Sequence, residues 1–268
     1  MFDLVRILLF DSASTIVGKL PSVWDWYSLI YDSLMRTPVF QQLGKLALGA
    51  LPRCPGGLVH DGGTGTGFWL KDLLDITQAR KVIATDISEK MLAKAEAKVK
   101  KLGKEYWSKV DLQRLDLTKE WPKGDFSLQF FQLLPNYLPN HGWRQLLESA
   151  AETTLPNGTI CSSTLLEGLN VRELAREHIL EQMRMTPLPS YPAMIFSAVI
   201  MSVWDKLSKS GRVVPPSKKE YIEYHRQVGF EDVEEIGEIF WGGGIVAKAT
   251  LKARVEKMAQ LEKGALAH

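Results

Sequence analysis

Residues 59–67 read Val-His-Asp-Gly-Gly-Thr-Gly-Thr-Gly, and the reading of this stretch decides the fold class. Asp61, Gly63, Gly65 and Gly67 follow a short apolar run and precede a helical pattern. Glycines so placed let the backbone turn sharply and let a ligand approach without interference from a Cβ. The start of the following helix offers unpaired N–H groups to a carboxylate or a phosphate. Three nucleotide-binding loops share these features. A phosphate-binding P-loop ends in Gly-Lys-Ser/Thr, whereas Phe68-Trp69 follows Gly67 here. A dinucleotide fingerprint counted from Gly63 places Phe68 where close helix–strand packing needs a small residue. The third is a loop with an acid, Asp61, at the strand end. That acid suits the amino group of a bound amino acid moiety better than it suits a pyrophosphate.

Outward from the loop, β-rich runs alternate with helical periodicity, as in a parallel sheet covered by helices. Strands are predicted at 58–61, 81–86, 110–116, 126–132, 159–165, 233–239 and 244–251. Ser88 is a predicted N-cap, with Leu92, Ala95, Val99 and Leu102 at helical spacing and Gly103 as the stop. Residues 144–155 are amphipathic, and Asn157-Gly158 turns the chain into the fifth strand. Ser217-Lys-Lys-Glu220 is a capping box opening a helix that runs to Val228. A Gly-rich connection joins the last two runs into an expected hairpin. The expected architecture is α/β, a doubly wound, mostly parallel seven-stranded sheet with a C-terminal antiparallel hairpin. Two segments stand outside the alternation. Residues 1–50 read as a helical N-terminal cap, and 51–268 as the ligand-binding domain. Within the latter, 166–216 is a helical insertion expected to act as a substrate lid, with helices at 169–183 and 193–207, because structureless loops of that length are rare.

The chain has 268 residues and a formal charge of +2, with acids and bases interspersed. No basic stripe is present to neutralise a phosphate backbone, so nucleic acid is not an expected partner. The two cysteines, Cys54 and Cys161, lack metal or disulfide spacing; a reducing, cytoplasmic setting and no metal site are expected. Residues 4–10 read as a helix rather than a signal peptide, and 191–204 fall short of a membrane span, so no integral membrane segment is expected.

The loop resembles the first motif of the class I S-adenosylmethionine-dependent methyltransferases, with His60 departing from the family's usual apolar residue. The resemblance spans roughly residues 50–165 and 215–252 and implies a Rossmann-like fold with S-adenosyl-L-methionine as cofactor. It implies that Asp61, Gly63, Thr64, Gly65 and Gly67 hold the methionine portion and that Asp86 bonds both ribose hydroxyls. It further implies adenine contacts from Ile87, Met91 and Leu117, Asp116 facing the adenine amino group, and Gln132 near the transfer site. Trp121-Pro122, Asp125-Phe126 and the Gly-Phe-Glu-Asp-Val of residues 229–233 extend the match. The nearest branch is ubiquinone/menaquinone-biosynthesis-like, which implies a small, fairly apolar substrate methylated at O, N or C. A cofactor-binding protein that catalyses a non-methylating rearrangement, or that acts as an assembly partner, is the alternative.

Other residues admit two readings. Tyr27 and Tyr31, four apart on a predicted helix, are core packing or an aromatic cap over the cofactor. Met194 and Trp204 are insertion core or substrate-pocket lining. His141, in the polar turn after the fourth strand, is the candidate general base, with His178 a second. His60 and His225 read as packed structural residues. A homodimer stays open.

Overall fold

The computed structural model describes residues 20–170, 173, 174, 176, 180, 184, 204–240 and 242–252. The expectations for residues 4–10, His178 and Met194 lie outside them. A seven-stranded sheet runs in the order β3-β2-β1-β4-β5-β7-β6. Its strands are β1 (Leu58–Gly62), β2 (Lys81–Asp86), β3 (Val110–Arg114), β4 (Phe126–Gln132), β5 (Thr154–Leu165), β6 (Phe230–Ile239) and β7 (Gly244–Leu251). β1 to β5 are mutually parallel, and β7 pairs antiparallel with both β5 and β6. This is the doubly wound, mostly parallel sheet with a C-terminal hairpin expected from the alternation.

The central strands are covered on both faces, as their near-continuous apolar sequence requires. One face of the sheet, with Val59, Val82, Leu128, Phe130, Cys161 and Val246, packs against α1 (Leu20–Met35), α2 (Pro38–Gly49), α3 (Leu70–Thr77) and α4 (Glu89–Leu102). After α4 comes the short α5 (Lys104–Ser108). The other face, with Phe131, Ile160, Ile245 and Ala247, packs against α6 (Gly142–Thr153) and α7 (Lys218–Gln227). The N-terminal helices α1 and α2 therefore share a core with the sheet. In the insertion, positions 173, 174, 176, 180, 184 and 204–209 are helical, so helix reaches past the predicted ends at 183 and 207.

Local signals hold with two refinements, beside shifts of two residues at the end of β3 and three at the start of β6. Ser88 accepts from the Met91 N–H (3.2 Å) at the start of α4, and Ser217 accepts from the Glu220 N–H (3.2 Å) at the start of α7. Glu220 does not close the capping box, because its carboxylate pairs with Arg144 on α6. The second refinement concerns β5, which begins at Thr154 rather than 159. The pairing jumps from Phe126↔Thr154 to Leu128↔Thr159, so the Asn157-Gly158 turn survives as a bulge within a longer strand. Asn157 takes the left-handed conformation that this needs (φ 62°).

Candidate active site

β1 and β4 are neighbours, yet the chain winds from β1 toward β3 on one side and from β4 toward β5 on the other. Such a reversal leaves a crevice at the carboxyl ends of the strands. A cavity of about 440 Å³ lies there, within the range of small-molecule sites. Gly63 and Gly65 line it from below, and Trp24, Tyr27 and Tyr31 of α1 from above.

The glycine loop is tied to the end of β2. The N–H groups of Gly63 and Thr64 both donate to the Thr85 carbonyl (2.9 Å each). The Gly65 N–H donates to Asp86 Oδ2 (2.9 Å), and the Ser88 N–H to Asp86 Oδ1 (2.8 Å). Gly65 has φ 56°, and a Cβ there would sit 3.3 Å from the Tyr31 ring, so both backbone and neighbour demand glycine. Gly67 answers a different need. A Cβ on it would lie 2.8 Å from Leu70 and 2.9 Å from Ala95, so it lets α3 and α4 pack closely.

Asp61 lies buried beneath the loop, where its Oδ2 accepts from Thr64 Oγ1 (2.6 Å). Burial pushes its carboxyl up to about 7, with the Thr64 bond opposing and the Asp86 charge adding. Burial likewise pushes Asp86 up to about 6, against the N–H groups of Ser88 and Gly65. Two carboxylates raised by desolvation make a site that gains from a bound cation. Asp116 behaves differently. Burial raises its pKa, but the Lys119 ammonium (2.7 Å) and Thr118 outweigh that, and the net effect is downward. Its carboxylate ties up its own turn at the cavity wall.

Of the residues expected at the cofactor, Gly63, Gly65, Asp86, Ile87, Met91, Asp116, Leu117 and Gln132 line the cavity. Asp61, Thr64 and Gly67 lie behind that lining as supports of the loop. Tyr27 and Tyr31 both line it, with ring centroids 5.4 Å apart and edge to face. Burial raises the pKa of each phenol. Tyr137 joins them from the 3₁₀ turn Leu134–Tyr137, its ring 4.6 Å from Trp24, and burial pushes its phenol up to about 12. Gln132 closes β4, and its Nε2 is buried without a hydrogen-bond partner among the described residues. Such an orphaned donor costs about 1–3 kcal/mol.

Two expected residues stand elsewhere. His141 is exposed at the left-handed position before α6 (φ 59°), outside the cavity lining, because the turn directs it to solvent. Trp204 is buried, but its indole N–H donates to the Asn136 carbonyl (3.2 Å), so it braces the 3₁₀ turn instead of lining the cavity. His60 and His225 are packed, as their apolar settings suggested. His60 bonds Gln129 and Thr85 (3.0 Å each), and His225 bonds the Tyr221 carbonyl (2.7 Å). Sequence reasoning did not single out Tyr137 or the Ser163 beside Gln132. Tyr137 lies in a turn and Ser163 is a polar position of the predicted fifth strand with no local mark of function, and tertiary pairing alone brings them to the site.

A switch-point crevice, an Asp-x-Gly-x-Gly loop and an acid ending the second strand are the features by which the chain resembles the class I S-adenosylmethionine-dependent methyltransferases. Residues 59–158 match the sequence family described as a methyltransferase domain. A protein of Haemophilus influenzae, itself uncharacterized, is 34% identical over 118 residues, which are 43% of this chain and 45% of the relative. The match thus spans under half of that relative's length. Among solved structures, DhpI in complex with SAH aligns over 89% of this chain and 98% of its own, with a TM-score of 0.58 at 19% identity. A Haloferax volcanii complex of the Trm112 methyltransferase activator with a methyltransferase aligns over 86% and 98%, with a TM-score of 0.60 at 18% identity. Human N-acetylserotonin methyltransferase with SAM aligns over 91% and 58%, with a TM-score of 0.55 at 16% identity. At these identities the likeness is one of fold. Among the described residues no helix is long and apolar enough to cross a membrane.

Proposed function

We propose that the protein is an S-adenosylmethionine-dependent methyltransferase acting on an O, N or C nucleophile of a small, fairly apolar metabolite. The observation that carries this is Asp86. It ends β2, is held by two backbone N–H groups of the glycine loop and the α4 cap, and faces an aromatic-walled cavity. Each oxygen keeps a free lone pair, so the carboxylate can accept from both hydroxyls of a ribose. Asp61, raised by burial, favours a neighbouring ammonium such as that of a methionine moiety. Ile87, Met91 and Leu117 supply an apolar slot for a purine. The bound cofactor would supply a methyl group on a sulfonium. The chain's part is to orient and to exclude water. Tyr27, Tyr31 and Trp24 roof the cavity, and positioning alone can contribute roughly 7–11 kcal/mol toward lowering the barrier. A nucleophile that arrives as a neutral amine needs no protein base, and the exposed His141 is not required for that chemistry.

Calorimetric titration with S-adenosylhomocysteine, alongside NAD, tests the reading. The homocysteine nucleoside is expected to bind and NAD not. Asp86→Ala should weaken binding about 10- to 100-fold, the loss of one or two charge-assisted bonds. Absence of binding by the wild type sinks the proposal. Methyl transfer from labelled cofactor to a small-molecule fraction of lysate then separates an enzyme from a protein that binds without transferring.

A further inference from the structure

The cavity divides by charge. Its charged lining residues, Asp86, Asp116 and Lys119, come from the ends of β2 and β3, and Lys119 is already held by Asp116 (2.7 Å). The lining from α1, α2 and residues 132–139 carries no charge at all: it is aromatic and aliphatic, with Trp24, Phe40 and Tyr137 among its rings. An anionic group placed in that half would lose water and meet no counter-charge among the described residues. Gln132 supplies a fixed polar group there, and its orientation follows from its neighbours. The Leu133 N–H donates to Ser163 Oγ (2.9 Å), which leaves the Ser163 hydrogen for Gln132 Oε1 (3.1 Å). The amide oxygen is therefore engaged, and Nε2 is the end left buried without a partner among the described residues.

We propose that the substrate is a neutral, flat, oxygen-bearing ring compound whose oxygen accepts a hydrogen bond from Gln132 Nε2, so that Gln132 is a specificity-determining residue. This rests on the methyltransferase reading and narrows its substrate class. Edge-to-face aromatic walls favour a flat ring. A site built to donate to an oxygen discriminates strongly against analogues that lack it. Ser163 acts through Gln132, fixing which end of the amide is presented.

The test uses the full chain saturated with S-adenosylhomocysteine and three probes of one shape: 2-naphthol, naphthalene and 2-naphthoate. Affinities are read by calorimetry or fluorescence. 2-Naphthol is expected to bind at least tenfold tighter than either of the others. Gln132→Leu should bring the naphthol-to-naphthalene ratio to within threefold of one. Gln132→Met, close in shape but without a donor, should do the same. Ser163→Ala should lower the ratio in part, by letting the amide flip. Thermal melts with S-adenosylhomocysteine identify a variant that has not folded, and the other variant then decides. Equal binding of naphthol and naphthoate, no naphthol binding, or a ratio that survives both Gln132 substitutions overturns the proposal. Failure of S-adenosylhomocysteine itself to bind is a separate result, and strikes the methyltransferase reading instead.

Discussion

Asp61 holds a single side-chain hydrogen bond, from Thr64, in a site dry enough to lift its carboxyl to about 7. The sign of the consequence follows from which form a ligand selects. A cofactor ammonium favours the ionised carboxylate, so binding near neutral pH must expel a proton from Asp61, and from Asp86 at about 6. S-Adenosylhomocysteine affinity should therefore fall as pH drops below 7, by up to about tenfold per pH unit once Asp61 is protonated. Titration in two buffers of different ionisation enthalpy measures the proton released, and Asp61→Asn should abolish the slope near 7. A flat affinity from pH 5.5 to 8.5 would show that Asp61 does not meet a cation. Gly65 offers a steric counterpart. Alanine there must hold φ 56° and press on the Tyr31 ring. The left-handed conformation alone costs about 1–2 kcal/mol, so Gly65→Ala should lower the Tm by several degrees and weaken S-adenosylhomocysteine binding. An unchanged melt would mean the loop can relax.

At the scale of elements, α1 is fastened to α4 by polar clips on one face while its aromatic face roofs the cavity. Asp25 accepts from Ser88 Oγ (2.5 Å) at the α4 cap, Lys94 donates to the Ser28 carbonyl (2.6 Å), and Lys98 pairs with Asp32 (2.6 Å). Lys98 also donates to Thr66 Oγ1 (2.7 Å), which joins the glycine loop to the same clip. Residues 25, 28 and 32 recur every three to four positions, the spacing of one helical face. The Lys98–Asp32 pair is about two-thirds buried, and such a pair is worth on the order of 1 kcal/mol. Asp32→Ala should therefore speed S-adenosylhomocysteine release by about three- to tenfold in stopped-flow fluorescence, with a smaller change in Tm. An unchanged release rate would mean that α1 does not gate exit. These clips mark the limit of what the sequence could disclose. Strands, caps and the glycine loop are written locally, in alternation and in residues three or four apart, and were legible. The pairing of Asp32 with Lys98 joins residues 66 apart, and the orphaned Gln132 amide depends on Ser163, 31 residues on. No periodicity encodes either. His141 stands outside the cavity lining for the related reason that a turn's side-chain direction follows from its backbone angles, which the sequence leaves open.

For the whole molecule, two buried histidines and two buried acids set opposing pH dependences. Burial lowers His60 and His225 to about 4, so between 6.5 and 4 the unfolded chain binds protons that the native state refuses, and stability is lost as pH falls. Asp61 and Asp86 are raised to about 7 and 6, so the native state binds protons before the unfolded chain does, and stability is gained over much of the same descent. Each tenfold change in proton affinity corresponds to about 1.4 kcal/mol, so each pair is worth several kcal/mol in order of magnitude. The two contributions largely offset one another in the free protein. A bound cofactor that holds Asp61 and Asp86 ionised removes the acids' compensating gain and leaves the histidines unopposed. The Tm of the free protein should accordingly change little between pH 7 and 5, while that of the S-adenosylhomocysteine complex should fall, so that the ligand-induced rise in Tm shrinks toward acid. Melts at pH 5, 6, 7 and 8, with and without saturating ligand, measure this. Parallel curves would mean that the acids under the glycine loop keep the same protonation in both states, and that the coupling between cofactor charge and fold stability is absent.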